Sequence, residues 1–293
     1  MAEEKLVSRE IHLKQRPVGM PTENDFELVK VDVPDLKNRE FLVRNVWMSV
    51  DPYMRGRMRE IRSYISPFQI GKPLEGGCIG RIIRSNNDQF AVGNNVLGNL
   101  GWREYWISDG SGSDVTRIDS NVAPIQWYLG ILGLTGLTAY AGLLKIGQLT
   151  DNSNSTVFVS AAAGAVGSVA CQIAKLNGCH VIGSAGSHEK VKWLLDEAKV
   201  EHAFNYKEVE KNNISVELGK SCSDGIDVYF DNVGGEHLEA AIDNMKTFGR
   251  IVLCGMISQY NLTSAPTGPS NLFLAVLVDS SYRDLLLEII TTY

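Results

Sequence analysis

Apolar positions in the first part of the chain fall in short β-branched runs: FELVKVDV (26–33), EFLVRNVWMSV (40–50), GCIGRIIRS (77–85), NNVLGN (94–99) and WREYWIS (102–108). Runs of this length, closed off by turn residues, predict an all-β module. Glycines recur from Gly56 to Gly101, as the tight corners of a small barrel require. A turn-rich patch, DGSGSD (Asp109 to Asp114), precedes a change of pattern. From about Ile125, strands at TVFVSA, HVIGSA, HAFNY, IDVYFDNV and RIVLCGM alternate with helical patterns at GSVACQIAKLNG, HEKVKWLLDEA and EHLEAAIDNMKTFG. That alternation predicts βαβ units and a parallel sheet covered on both faces. The fold class is therefore α/β, with a β-rich domain over 1–124 and a doubly wound Rossmann domain over 125–293. The Asn/Ser cluster 151–155 reads as a surface loop before the first parallel strand.

The first of those strands runs into Ala162-Ala163-Gly164-Ala165-Val166-Gly167 and then a helix. Against G-x-G-x-x-G, Ala162 replaces the first glycine. Gly164 lets the backbone approach a pyrophosphate, and Gly167 permits close packing of helix on strand. The helix start then offers free N–H groups and a positive dipole end to the anion. The second strand separates the coenzymes. An NAD site carries Asp or Glu at its end, whereas this chain has Gly183-Ser184-Ala185-Gly186-Ser187 there. Without that carboxylate a 2′-phosphate is not repelled, and Lys190 supplies positive charge, so NADP is the inference. The other readings are Lys190 as a solvated helix lysine and Glu189 as the ribose ligand of NAD. Tyr206, in FNYK, either reaches the same phosphate or caps the sheet.

Composition narrows the classes. The chain has 44% hydrophobic and 21% charged residues and a net charge of −6, so it is neither disordered nor built to attract a phosphate backbone. Leu129 to Leu144 is interrupted by four glycines and two threonines and is shorter than the ~20 residues that span a bilayer. MAEEKLVSRE lacks the apolar centre of a signal peptide, and the expected location is the cytoplasm. The five cysteines are scattered, with no Cys-x-x-Cys, and read as free thiols in a reducing compartment.

More specific motifs follow in order: RPVGMPTENDFEL (16–28), MSVDPYMRGRM (48–58), PLEGGCIGRII (73–83), WREY (102–105), LGLTGLTAYAGL (132–143), FNYK, VYFDNVGG (228–235) and VLCGMISQYN (252–261). With them the chain resembles the zinc-independent medium-chain dehydrogenase/reductases, in the branch of prostaglandin reductases, leukotriene B4 12-hydroxydehydrogenases and alkenal double-bond reductases. The resemblance runs from about residue 12 to about 272. It implies a GroES-like barrel joined to the Rossmann domain and NADPH as coenzyme. It also implies reduction of the C=C bond of α,β-unsaturated aldehydes and ketones by hydride transfer to the β-carbon. Zinc-dependent relatives hold their metal with a Cys and a Gly-His-Glu segment; DPYMRG and LEGGCIG stand there instead. Cys78 alone cannot complete the three protein ligands of a catalytic zinc, so no metal is expected.

Carried over residue by residue, Gly164, Ala165, Val166 and Gly167 would meet the pyrophosphate. Gly186, Lys190 and Tyr206 would surround the 2′-phosphate. Asn232, the run Cys254, Gly255, Met256, Ile257, Ser258, and Tyr260 would line the ribose and nicotinamide, and Tyr260 and Tyr53 would also face the substrate. A phenolic hydroxyl aimed at the enone oxygen stabilises charge as it develops there. Tyr260 is the first choice for that donor; the alternative leaves it a pocket wall with a ribose hydroxyl donating. Arg55 and Arg57 stand where they could draw in an acidic substrate. None of the five histidines has a Ser, Cys or Asp at triad spacing. After Leu272 the likeness fades: the chain has FLAVLVDSSYRDLLLEIITTY, without the family's final strand and returning segment. SYRDLLLEII resembles the helix that follows that strand. The sheet is thus expected to end in an open edge, at which the family pairs into homodimers. The expected partner is a small enone or enal, with neither nucleic acid nor membrane. A quinone reductase and a truncated, inactive NADP-binding isoform are the competing functions.

Overall fold

Each apolar run in the first part of the chain forms a strand. In the computed structural model, which describes residues 5–63, 65–112, 115–150, 154–209, 213–277 and the backbone of 281–284, the chain divides into two units, Met1–Gly133 and Leu134–Tyr293. The Asn/Ser cluster, DGSGSD and the residues after Asp284 therefore lie partly or wholly outside the described residues.

In the first unit, β1 (Val7–Leu13) pairs antiparallel with β2 (Phe26–Asp32). The other strands are β3 (Phe41–Met48), β4 (Cys78–Ser85), β5 (Asn95–Gly98), β6 (Tyr105–Ser108) and β7 (Thr116–Ile118), in the order β6-β3-β4-β5-β7. A short helix, α1 (Tyr53–Arg57), follows β3 and buries Met54 against Leu13, Phe68 and Leu74. Phe41, Val43, Cys78, Ile82, Val96 and Trp106 form the core of the larger sheet. Two strands escape the apolar pattern. β1 carries Arg9 and Glu10 in its centre, and Arg9 pairs with Glu104 across the unit, so consecutive charged residues hide a half-buried strand. β7 has only three residues.

The second unit opens with α2 (Leu134–Tyr140), which continues into one wider helical turn, Ala141–Ile146. Six parallel strands follow: β8 (Thr156–Val159), β9 (His180–Ala185), β10 (His202–Asn205), β11 (Ile226–Asp231), β12 (Met245–Leu253) and β13 (Ser281–Asp284). The helices between them are α3 (Ala165–Leu176), α4 (His188–Asp196), α5 (Ile214–Ser221), α6 (Glu236–Asp243) and α7 (Leu272–Leu277). Sheet order is β10-β9-β8-β11-β12-β13, so the winding reverses between β8 and β11. Successive residues feed opposite cores: Val157, Val159, Val181 and Phe230 on one side, Phe158, Ile182, Tyr229 and Ile251 on the other. Burial of both faces explains why these strands read as continuous apolar runs.

Three elements differ from the sequence reading. The helix expected to reach Gly249 stops at Asp243, and Met245 to Phe248 join β12, because Met245 pairs with Ile226 and is buried. α5 carries no motif and passes unread. Finally, the sheet does not end at β12. Ser281–Asp284, read as helical, lies parallel to Arg250–Leu253 and satisfies its row of N–H and C=O groups, a tertiary demand that outweighs local helix preference. Among the described residues no helix is long and apolar enough to cross a membrane.

Candidate functional site

The turn after β8 is sharper than a glycine motif alone predicts. Ala161 sits at φ 49°, in the left-handed region, and its carbonyl accepts from Gly164 N at 2.9 Å. α3 then starts at Ala165 with Gly164 as its cap and no side chain satisfying its first turn. The leading amides of Ala165, Val166 and Gly167 are thereby left to a ligand or to water. A Cβ on Gly167 would overlap the Ala161 carbonyl and stand 2.9 Å from Ala162 Cα, so only glycine lets the helix sit this low on the strand. Gly164 and Ala165 also line a cavity of about 320 Å³ with Ala163, Ser168, Glu189, Lys190 and Trp193. Unmet amides, a glycine floor and a lysine at one wall are the donor set that a dinucleotide phosphate requires, so these residues fit the coenzyme.

At the end of β9, Ser187 caps α4 and accepts from Lys190 N at 3.4 Å. Glu189 is held below the usual carboxylate range by the Ser187 hydroxyl. A Cβ on Gly186 would lie 3.1 Å from the Tyr206 hydroxyl. Tyr206 packs its ring edge-on against His237, with centroids 4.9 Å apart. Gly186 and Tyr206 are thus in contact, while Lys190 stands on the α3 side.

Beyond the winding reversal lies a buried polar knot built on the VYFDNVGG segment. Asp231 ends β11, is fully buried, and its Oδ1 accepts from Tyr229 Oη (2.7 Å), Gly234 N (2.8 Å) and Val233 N (2.9 Å). Desolvation pushes the Asp231 carboxyl up. Asn232 N donates to Ser160 Oγ at 2.9 Å and Asn232 Nδ2 to Ser160 O at 2.8 Å, which fixes the amide at the reversal point. The loop after β12 is fastened to the same turn. Cys254 N and Gly255 N both donate to Asp231 O, Ile257 N to Asn232 O, and Ser258 N and Oγ to Val233 O. Tyr260 folds back on this loop, its hydroxyl accepting from Met256 N at 3.3 Å. Burial pushes the Tyr260 phenol up, so it keeps its proton. In the sequence the knot falls within VYFDNVGG, where a charged residue closes the apolar run IDVYF, but the motif does not reveal its hydrogen bonds.

Tyr53 belongs to the first unit, at the start of α1, packed against the cluster of Leu13, Met54 and Phe68. Arg55 and Arg57 are tied into that unit and do not stand ready for substrate. Arg55 is 8% exposed and donates to Gly19 O at 2.7 Å; Arg57 pairs with Glu75 at 2.7 Å and covers the Phe68 ring. Cys78 is buried and desolvation raises its thiol to about 11, a poor state for binding metal. Among the described residues no three His, Cys, Asp or Glu side chains gather in a way that could hold a metal ion.

The β-rich first unit and the doubly wound second unit with this turn define a dinucleotide-dependent oxidoreductase of the medium-chain type. Residues 9–116 match the N-terminal domain of oxidoreductase, and residues 165–278 match the model described as zinc-binding dehydrogenase. The 2-alkenal reductase (NADP(+)-dependent) of Nicotiana tabacum is 43% identical over 281 residues, covering 94% of this chain and 80% of the relative. Prostaglandin reductase 1 of Mus musculus is 45% identical, covering 88% and 75%. CurA of Vibrio vulnificus, solved in complex with NADPH, superposes with a TM-score of 0.86 at 40% identity, covering 94% of this chain and 81% of that one. The chain belongs to the zinc-independent medium-chain dehydrogenase/reductase family, in the branch that contains the NADP-dependent alkenal, prostaglandin and curcumin reductases.

Proposed function

We propose that this chain is an NADPH-dependent reductase of the C=C bond in α,β-unsaturated aldehydes and ketones. The observation that carries the reading is the pairing of an uncapped, glycine-floored helix start with a β9 end that has Lys190 and Tyr206 in place of an acid. Relatives of matching activity align over most of the chain. The α3 amides of Ala165 to Gly167 hold the pyrophosphate, and Lys190 with Tyr206 holds the 2′-phosphate. Asn232 and the Cys254–Ser258 loop, fastened to one another, position the nicotinamide end. NADPH supplies the hydride when bound. Tyr260 keeps a neutral hydroxyl that accepts from Met256 N; aimed at a substrate carbonyl, it stabilises the oxygen as charge develops.

NADPH consumption with a panel of 2-alkenals, enones and quinones tests the proposal. Turnover of the alkenals and enones is expected. Turnover of quinones alone would overturn it in favour of a quinone reductase, and saturable NADPH binding without turnover of any substrate in favour of an inactive coenzyme-binding isoform.

A further inference from the structure

Lys207 closes the FNYK motif just past the end of β10, next to Tyr206, and has no coenzyme contact assigned to it above. Its side chain nevertheless returns to the end of β9: a Cβ on Gly186 would stand 3.3 Å from Lys207 Cε, beside the Tyr206 hydroxyl at 3.1 Å. The backbone fixes this approach. Asn205 pairs with Ala185 in the sheet, Tyr206 N donates to Ala185 O at 3.1 Å, and Lys207 N donates to Asn205 Oδ1 at 3.2 Å. Three groups therefore surround the β9 end where an NAD site would carry an acid: Lys190 from α4, the Tyr206 hydroxyl, and Lys207 from the β10 side.

The local acids explain why one lysine is not enough. Glu189 adjoins Lys190, lines the same cavity and is ionised, so it offsets much of the charge that Lys190 brings. Glu208, the acid next to Lys207, is already engaged by His188 Nε2 and by Asn205 Nδ2, each at 2.7 Å. Among the described residues Lys207 has no carboxylate within ion-pair distance, and the residue is exposed. A ribose 2′-phosphate carries close to two negative charges at neutral pH. We infer that Lys207 is a second cation for the coenzyme 2′-phosphate, acting opposite Lys190 and setting the preference for NADPH over NADH; this rests on the NADP reading above. A side chain at Gly186 would press on both the Tyr206 hydroxyl and the Lys207 stem, which would have to give by a few tenths of an ångström.

The test is coenzyme binding to the full chain, without substrate. Dissociation constants for NADPH and NADH are measured by coenzyme fluorescence in wild type, Lys207→Met and Lys190→Met, at two salt concentrations. Melting curves establish that the surface variants remain folded. Lys207→Met is expected to weaken NADPH on the order of tenfold, to leave NADH within about twofold, and to flatten the salt dependence of NADPH binding. Lys207→Arg should recover part of the loss. Wild type that prefers NADPH together with an unaltered preference in Lys207→Met would overturn the inference alone. Wild type that binds both coenzymes alike would overturn the NADP reading and the inference with it.

Discussion

Tyr229 donates its phenolic hydroxyl to Asp231 Oδ1 at 2.7 Å, two residues along the same buried strand, with neither side chain reaching solvent. Adjacent positions of like parity put both on one face of β11, so the bond is a direct consequence of strand geometry. It supplies one of the few donors available to a carboxyl that anchors the turn after the strand. Tyr229→Phe keeps the ring stacked on Phe158 but removes that donor. A loss of about 2 kcal/mol is expected, read from the urea midpoint at unchanged slope. A loss below about 0.5 kcal/mol would mean that the carboxyl does not depend on this hydroxyl.

Gly167→Ala tests the floor of the turn. The added methyl meets the Ala161 carbonyl and Ala162 Cα, both backbone, and neither can rotate away. Destabilisation of about 1–3 kcal/mol is expected, with NADPH affinity lost beyond detection in a variant that still melts cooperatively. Gly164→Ala, whose Cβ finds its first neighbour at 3.1 Å, should be milder in stability.

His237 gives the second unit an acid limit. It is 3% exposed, and burial lowers its pKa from 6.5 to about 4, so it is neutral in the fold and takes up its proton more readily when unfolded. Stability from this group is complete above pH 6.5 and is lost as pH falls from there through about 4, by about 3 kcal/mol in total. His237→Phe retains a ring against Tyr206 and removes the titration. Its urea midpoint should vary less between pH 7 and pH 4 than that of wild type; parallel curves would rule the histidine out.

Tyr260→Phe separates a catalytic hydroxyl from a wall. If the phenol bonds to the developing enolate, kcat/KM for an enone falls on the order of a hundredfold while NADPH affinity stays put. Full retained efficiency would assign the donor role to another group. The lost bond to Met256 N is a weak one at 3.3 Å, so the melting temperature should move little.

How much of this was legible differs by element, and the reason is packing. TVFVSA and IDVYFDNV announce themselves because β8 and β11 are buried on both faces. VSREIHL does not, because Arg9 and Glu10 sit mid-strand on a partly exposed edge. SYRD reads as helix and forms strand because the open edge of β12 decides its conformation. In the candidate site, the glycine turn is visible because backbone conformation dictates residue type there. The Asp231 knot and the approach of Lys207 to Gly186 depend on residues far apart in sequence meeting across strands, and no local pattern encodes such a meeting.

The fastening of the β12 loop to the β11 turn carries one more consequence. The amides of Cys254, Gly255, Ile257 and Ser258 all end on carbonyls of the consecutive residues Asp231, Asn232 and Val233. Four donors that share three neighbouring acceptors cannot open one at a time without disturbing the rest. Their hydrogen exchange should therefore proceed as a single cooperative block, with one opening free energy common to all four protons.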